Sequence, residues 1–170
     1  MEEAVGLSDQ CTKEVRKNMA EQVKLSGEFE LRHLRDGQVI DRRIIKNLVV
    51  NAGKAAAAGL LNGVIANFFE HIAIGTGTVA PAAGDTALGA EITTGGGARA
   101  PGTTSRVTTT VTNDTAQIVL TFNFTASFAV TESGVFDSIS AGTMLCRQTF
   151  AAVNVVNGDS LQVTWKIQVS

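Results

Sequence analysis

The sequence predicts a mainly β protein: an antiparallel β-sandwich or jelly-roll-like domain with one short Ala-rich helix and an N-terminal helical arm. From residue 105 onward, short runs rich in Val, Thr, Ile and Phe follow one another with turn residues between them. The strictest alternation ends the chain, where every second side chain is apolar: Leu161, Val163, Trp165, Ile167 and Val169. By contrast, the run "NAGKAAAAGLLNG" near residue 51 has the composition of a helix.

Composition limits the classes of partner. The chain has 170 residues, of which 44% are hydrophobic and only 5% aromatic, so one domain with an aliphatic core is expected. A formal net charge of −2 lacks the basic excess of nucleic-acid binders, and no nucleic-acid partner is expected. The longest apolar run, "AAAAGLL", is far shorter than the roughly 20 residues that span a bilayer. Because the start also lacks a secretory signal pattern, we expect a product made in the cytoplasm, without a membrane partner.

An N-terminal arm, residues 1–26, is predicted because charged side chains are concentrated near the start of the chain. Residues 1–54 hold ten basic and nine acidic side chains, against four and seven in the rest of the chain. Residues 9–24 predict a helix that Ser8 or Asp9 caps, with an apolar stripe at every fourth position: Cys11, Val15, Met19 and Val23. So narrow a stripe does not build a core, so we expect this helix to lie along its own β-domain or a neighbouring subunit; a solvated helix is the alternative.

The β-domain is assigned to residues 27–170 and begins with a predicted hairpin. Phe29, Leu31 and His33 alternate with polar residues before the turn signal "RDGQ". The Ala-rich helix follows, with Asn51 as its cap and an end at Asn62 and Gly63.

The next strand is predicted from "FFEHIAI", with Phe68 and Phe69 in the core. Further on, Asn113 and Asp114 predict a turn, and Gly134 predicts a break in a strand.

Residues 76–105 predict a long surface loop, of a length that usually indicates function or mobility. One helical turn is expected at Asp85–Leu88, capped by Asp85. The loop follows Gly75, Gly77 and Ala80, which have the spacing of a dinucleotide-binding fingerprint. Such a site needs a helix directly after the glycines, and Pro81 with a non-periodic run stands there instead. The two glycines are therefore interpreted as turn residues where a strand ends.

No catalytic, cofactor-binding or metal-ligating set is predicted. Two cysteines in different halves of the chain indicate free thiols, and His33 and His71 are too few to complete a zinc site with them. Most acidic residues of the β-half lie beside Gly, Asn or Ser, as turn-forming residues do. A glycan-degrading enzyme therefore has no support from the residues.

Three runs carry a resemblance to a known group. "KNLVVNAGKAAAAGLLNG", "IAIGTGTVAPAAGDTALGAEI" with a later Arg, and "ESGVFDSISAGTMLCRQTFAAVNVVNGDSLQVTWKI" together resemble small structural proteins of tailed bacteriophages, which are variously head decoration, tail or fibre-associated proteins. The resemblance covers roughly residues 46–168.

This resemblance implies a virion protein, most directly a capsid decoration (cement) protein that bridges major capsid subunits. Thr-rich, weakly charged strands in residues 105–128 predict sheet edges without protecting lysines, and hence a homo-oligomer. The resemblance favours a trimer over a dimer and implies contacts with the major capsid protein or other virion proteins. A tail, collar or baseplate component is the alternative, with host-surface or glycan binding by loop 76–105. Candidate capsid contacts lie in the arm: Cys11, Val15, Arg16, Lys17, Met19 and Val23.

Overall fold

Two five-stranded antiparallel sheets face each other in the computed structural model, which describes residues 22–170. The elements in chain order are β1 (Leu25–Arg35), β2 (Gln38–Lys46), β3 (Leu48–Val49), α1 (Asn51–Leu61), β4 (His71–Gly75), β5 (Ala100–Pro101), β6 (Thr103–Val107), β7 (Thr115–Asn123), β8 (Phe128–Phe136), β9 (Met144–Val155) and β10 (Ser160–Val169). Sheet A has the order β2-β1-β10-β7-β6, and sheet B has the order β3-β9-β8-β4-β5. The predicted sandwich with one short helix is confirmed.

The core lies between the sheets and is centred on one aromatic pair. Phe29 and Trp165 stack with ring centroids 4.8 Å apart, and both are fully buried. The Trp165 indole N–H donates to Ser133 Oγ in the opposite sheet at 3.1 Å, and that hydroxyl donates to the Ala73 carbonyl at 2.9 Å. A buried indole N–H needs such a partner, so these bonds fix the relative position of the two sheets.

The predicted hairpin and the main β-turn are both present. Asp36 and Gly37 take left-handed φ angles of 50° and 75°, the conformation that joins β1 to β2 in a tight turn. Asn113 also has a positive φ, of 61°, and the Asp114 carboxylate accepts hydrogen bonds from the N–H groups of residues 109–111. Short-range turn chemistry was therefore sufficient to locate both turns.

Helix α1 begins and ends close to the predicted bounds, but its cap differs. Val50 occupies the N-cap position and makes no side-chain cap bond, whereas Asn51 is the first helical residue. Gly63, with φ of 74°, follows the helix as expected. The helix packs on sheet B, since the Val50 N–H donates to the Leu145 carbonyl and Gly53 lies directly against Leu145.

Three local predictions are wrong. Strand β4 begins at His71, so Phe68 lies outside the sheet and is 60% exposed instead of buried in the core, and Phe69 is half-buried. Strand β8 runs through Gly134 without a break, because the missing side chain makes room for Leu88 and the Cys146 carbonyl. Asp85 starts no helical turn; its carboxylate accepts the Ala82 N–H at 2.9 Å.

The arm boundary and the long loop also differ from the prediction. Leu25 and Ser26 belong to β1, so the sheet begins two residues before the expected boundary of the arm. The loop contains β5 and the start of β6, and it buries Leu88 and Ile92 against the sandwich. A strand pairing between Gly75 and Glu91 further ties it to β4. Residues 76–99 are thus a surface loop, as predicted, but a few buried side chains and backbone bonds hold it against sheet B.

We expect Gly53→Ala to destabilise the protein by about 1–3 kcal/mol, because the added methyl group would collide with the backbone of Leu145 and push α1 off sheet B. Gly84→Ala is the matched control, since no atom lies within 4 Å of the position and its φ is not positive. Chemical denaturation of both variants measures the difference. Equal stabilities would show that α1 is not held at this contact.

Candidate functional site

A buried carboxylate holds the long loop on the sandwich. Glu132 lies in the middle of β8 with 0% exposure. Its Oε1 accepts the N–H groups of Gly77 at 2.9 Å and Ala90 at 2.7 Å, and its Oε2 accepts the N–H of Gly89 at 3.0 Å. We call Glu132, Arg147, Asp85 and these three amides the carboxylate clamp.

Arg147, on the neighbouring strand β9, balances the buried charge. Its guanidinium donates twice to Glu132 Oε2, at 2.8 and 2.9 Å, and once to Asp85 Oδ2 at 2.6 Å. It also donates to the Val79 carbonyl at 3.0 Å. A buried ion pair is stable only when its remaining polar atoms are satisfied, and here the loop backbone satisfies them.

The pKa values in the clamp follow from this geometry. Burial alone raises the pKa of Glu132, but the Ala90 and Gly89 amides, Arg147 and the Gly77 amide outweigh it and hold the pKa below its ordinary value. Burial likewise lowers the pKa of Arg147, yet its two carboxylate partners raise it overall. Both groups therefore remain charged at neutral pH.

The clamp explains the glycines that resemble a dinucleotide fingerprint. A Cβ at Gly75 would lie 2.5 Å from Glu132 Oε1, and one at Gly77 would collide with the same carboxylate. Gly75 ends β4, as predicted for a strand exit, but neither glycine has the positive φ that would by itself require glycine. They are small because a buried side chain lies against the backbone at that point.

A second arginine fastens the far end of the loop. Arg99 donates to both oxygens of Glu91, at 2.9 and 2.6 Å, and to the Ser138 and Ala141 carbonyls. Its guanidinium also lies 3.6 Å from the centroid of the Phe136 ring. The loop is therefore held at both ends by buried or half-buried charges.

One acid–imidazole pair has residue types that catalytic sites use. His33 Nε2 lies 2.8 Å from Asp159 Oδ2, and Arg35 donates to both oxygens of that carboxylate. The hydrogen bond from Arg35 has the largest effect on the pKa of Asp159 and lowers it. Burial opposes this effect, and the bond with His33 lowers the pKa again, so it lies well below its usual range. Within residues 22–170, no Ser, Thr or Cys side chain hydrogen-bonds to His33, so the arrangement lacks a nucleophile. The three residues tie β1 to the β9–β10 turn.

The main exposed apolar feature is a groove of about 850 Å³ between α1 and one end of sheet A. We call it the α1 groove. Its apolar walls come from α1, from the segment before β4, from β9 and from three strands of sheet A: Ala57, Ala58, Leu60, Leu61, Phe68, Phe69, Leu145, Ala116, Ile118, Ile167, Leu25, Val23 and Val169. Leu61 is 85% exposed and Val23 is 72% exposed. So much exposed apolar surface in one place indicates a docking surface.

The structure brings one predicted contact residue to this groove. Val23 lines it, whereas Cys11, Val15, Arg16, Lys17 and Met19 lie outside the described residues. Sequence reasoning missed the walls from α1 and Phe68, since Leu60, Leu61 and Phe68 read equally well as core residues. The sequence does place Leu60, Leu61 and Phe68 close together around a turn. Such a pattern does not distinguish a core from an exposed groove until the packing is known.

Comparison with known proteins identifies no relative of this chain. No protein-family model, no curated protein and no solved structure matches this chain. Within residues 22–170, no group of three or more His, Cys, Asp or Glu side chains is placed to hold a metal ion. In the same range, no helix has both the length and the apolar character needed to cross a membrane.

The clamp predicts acid-sensitive stability. Because the folded pKa of Glu132 lies below its ordinary value of 4.5, the clamp stabilises the fold fully above about pH 4.5 and loses this effect as the pH falls through the folded pKa. Glu132→Gln should cost about 3–5 kcal/mol at pH 7 and progressively less as the pH falls below 4.5, because the wild-type protein loses the contribution of the charged carboxylate in that range.

Urea unfolding at a series of pH values measures this difference. The matched control is Glu28→Gln, which removes an exposed carboxylate 3.7 Å from Lys166 and should change stability by less than about 0.5 kcal/mol. A Glu132→Gln cost that does not shrink on acidification would contradict the charged clamp.

Proposed function

We propose that the protein is a structural subunit of a tailed-bacteriophage virion, acting as a capsid decoration protein that bridges major capsid subunits. The observation that carries the proposal is the α1 groove, an exposed apolar surface at the end of a firmly clamped sandwich and at the root of the arm. A rigid body with an apolar surface at the root of its arm suits a building block, which must present its attachment segment in fixed geometry.

The three runs that resemble phage structural proteins contact one another in the fold. Residues 46–63 form β3 and α1, residues 72–92 form β4 and the clamped loop, and residues 132–167 form most of β8, β9 and β10. Glu132 and Arg147 of the third run hold the second, and Leu145 of the third supports Gly53 of the first. The resemblance therefore follows one packed unit, which supports a shared structural module.

Attachment is assigned to the arm, residues 1–26, and to its charged side chains Arg16 and Lys17 in particular. These residues precede a domain whose turns and loop are internally bonded, so the arm is the part of the chain available to a second protein. Repeated over many subunits on a shell, weak contacts of this kind add up to stable decoration. The protein is accordingly assigned to the virion after synthesis in the host cytoplasm.

A tail, collar or baseplate position is the alternative outcome. One reconstruction of the particle tests both, because decoration places density on the capsid lattice and the alternative places it along the tail. Absence of the chain from purified particles would overturn the proposal in either form.

Homo-oligomerisation is expected through the exposed edges of sheet A. Of the strands predicted to leave edges within residues 105–128, β6 is an edge strand and β7 lies inside the sheet, while the longer edge strand is β2. Ile40 and Ile44 of β2 are 52% and 53% exposed. These isoleucines favour pairing with another copy, although the charged residues of the same strand, Asp41, Arg42, Arg43 and Lys46, oppose it.

We therefore expect light scattering at tens of micromolar to show an oligomer, with the trimer implied by the phage resemblance preferred over a dimer. Ile44→Lys should shift the protein toward monomer, because it places a charge on that edge. Val111→Lys, at an exposed turn away from β2, is the control and should leave the oligomer unchanged. A wild-type monomer would refute this prediction.

Deleting residues 1–21 should abolish particle binding while leaving a folded β-protein, because every strand within residues 22–170 begins after residue 24. Occupancy on particles that lack the protein is measured by quantitative gel analysis, with circular dichroism as the folding check. The double variant Arg16→Glu/Lys17→Glu keeps the apolar stripe and should also reduce occupancy, by about tenfold or more if each charge contact contributes near 1 kcal/mol. Wild-type occupancy of the truncated protein would remove the arm as the anchor.

A further inference from the structure

The α1 groove lacks a partner within residues 22–170, although its walls are strongly apolar. Its charged lining residues are Lys24 and Lys54, and no acidic residue lines it. An occupant that fits it therefore has one apolar face and an acidic balance of charge. Solvent alone would leave Leu61, Phe68 and Val23 exposed together, which is costly for a protein in water.

The segment that directly precedes the groove has both properties. Val23 is in the groove wall, and the three positions spaced by four residues before it, Met19, Val15 and Cys11, continue the same apolar stripe. Side chains at this spacing share one face of a helix. Residues 1–21 carry five acidic and three basic side chains, a net charge of −2. Residues 9–21 are neutral, with three side chains of each sign, so the charge that complements the two lysines of the groove lies at Glu2 and Glu3.

We propose that residues 9–21 dock in the α1 groove of their own chain, with Cys11, Val15 and Met19 against its apolar walls. The tether decides between the same chain and another copy. Residues 22–24 are not helical and lead into β1, so the predicted helix over 9–24 does not extend to Val23. Met19 is nevertheless only four residues from Val23, at most about 14 Å of extended chain, so the stripe is held near its own groove at a high effective concentration. A second copy would have to compete with this intramolecular contact.

Docking also separates the two roles of the arm. With the stripe in the groove, a helix of 3.6 residues per turn directs Lys17 to the opposite side and Arg16 to the flank. The groove then orients a charged face away from the sandwich, where a capsid subunit would meet it. The docking stands without any virion partner, whereas the use of this outward face rests on the proposed function.

The accessibility of Cys11 tests the docking in the free, full-length protein. Maleimide modification is followed by peptide mass, which distinguishes Cys11 from the fully buried Cys146. Ala58→Arg places a long cation in the groove and should increase the modification rate of Cys11 by about tenfold or more, which corresponds to about 1.4 kcal/mol of lost docking.

Ala55→Arg is the matched control, because Ala55 is exposed on the same helix but does not line the groove. It should leave the Cys11 rate within about twofold of wild type. Cys146 reports folding in the same experiment, since only an unfolded variant would expose it. If Cys11 reacts equally fast in wild type and both variants while Cys146 stays protected, the docking is refuted.

A cross-link identifies whose groove is occupied. Ala58→Cys treated with a short bis-maleimide should join to Cys11 and run as a monomer on a denaturing gel. A dimer band whose cross-linked peptides join Cys11 to position 58 would show that the arm docks on another copy and would overturn the same-chain assignment. The absence of any Cys11 cross-link to position 58 would overturn the docking itself. Because no particles are used, these outcomes are independent of whether the protein is found in virions.

Discussion

The buried charge of Glu132 is the constraint on which the rest of sheet B depends. A carboxylate with no exposure is stable only if its oxygens are bonded, and the partners come from Arg147 and from three amides of residues 76–90. The loop therefore cannot leave the sheet without exposing an unpaired charge in the core. This explains why a segment rich in Gly and Ala, with little side chain to bury, is nevertheless held in one place.

The rigid clamp also supports the helix, through a residue two positions away on β9. The strand that carries Arg147 also carries Leu145, on which α1 packs through Gly53. The clamped loop also contacts the start of α1, since the Asn51 N–H donates to the Ala83 carbonyl. Loop, strand and helix thus form one connected support, and the helix in turn is one wall of the α1 groove. A docking surface made this way keeps its shape, which lowers the entropic cost of binding a segment there.

The two proposals give different roles to the two faces of the N-terminal arm: the apolar stripe docks in the α1 groove, and the charged face binds a neighbouring subunit. Decoration of a phage particle would need a rigid body and a contact that is repeated in every subunit. In these proposals the sandwich is the rigid body and the arm makes the contact. Docking of the apolar stripe would hold the arm in one orientation, which reduces the entropy lost when its charged face binds a neighbour. A resemblance that follows the packed unit but not the arm agrees with this division, since the arm then adapts the common body to its own partner.

The sequence alone determined what depends on neighbours along the chain. Strand alternation near Trp165, the turns at Gly37 and Asp114, and the limits of α1 are all set by local periodicity and backbone preference. Only the tertiary structure decided the role of residues far apart in sequence. Glu132 resembled a turn acid and Phe68 a core residue, because a short pattern cannot reveal which surface lies opposite it. The clamp and the groove arise from contacts across the two sheets, where burial and charge pairing, not periodicity, set the outcome.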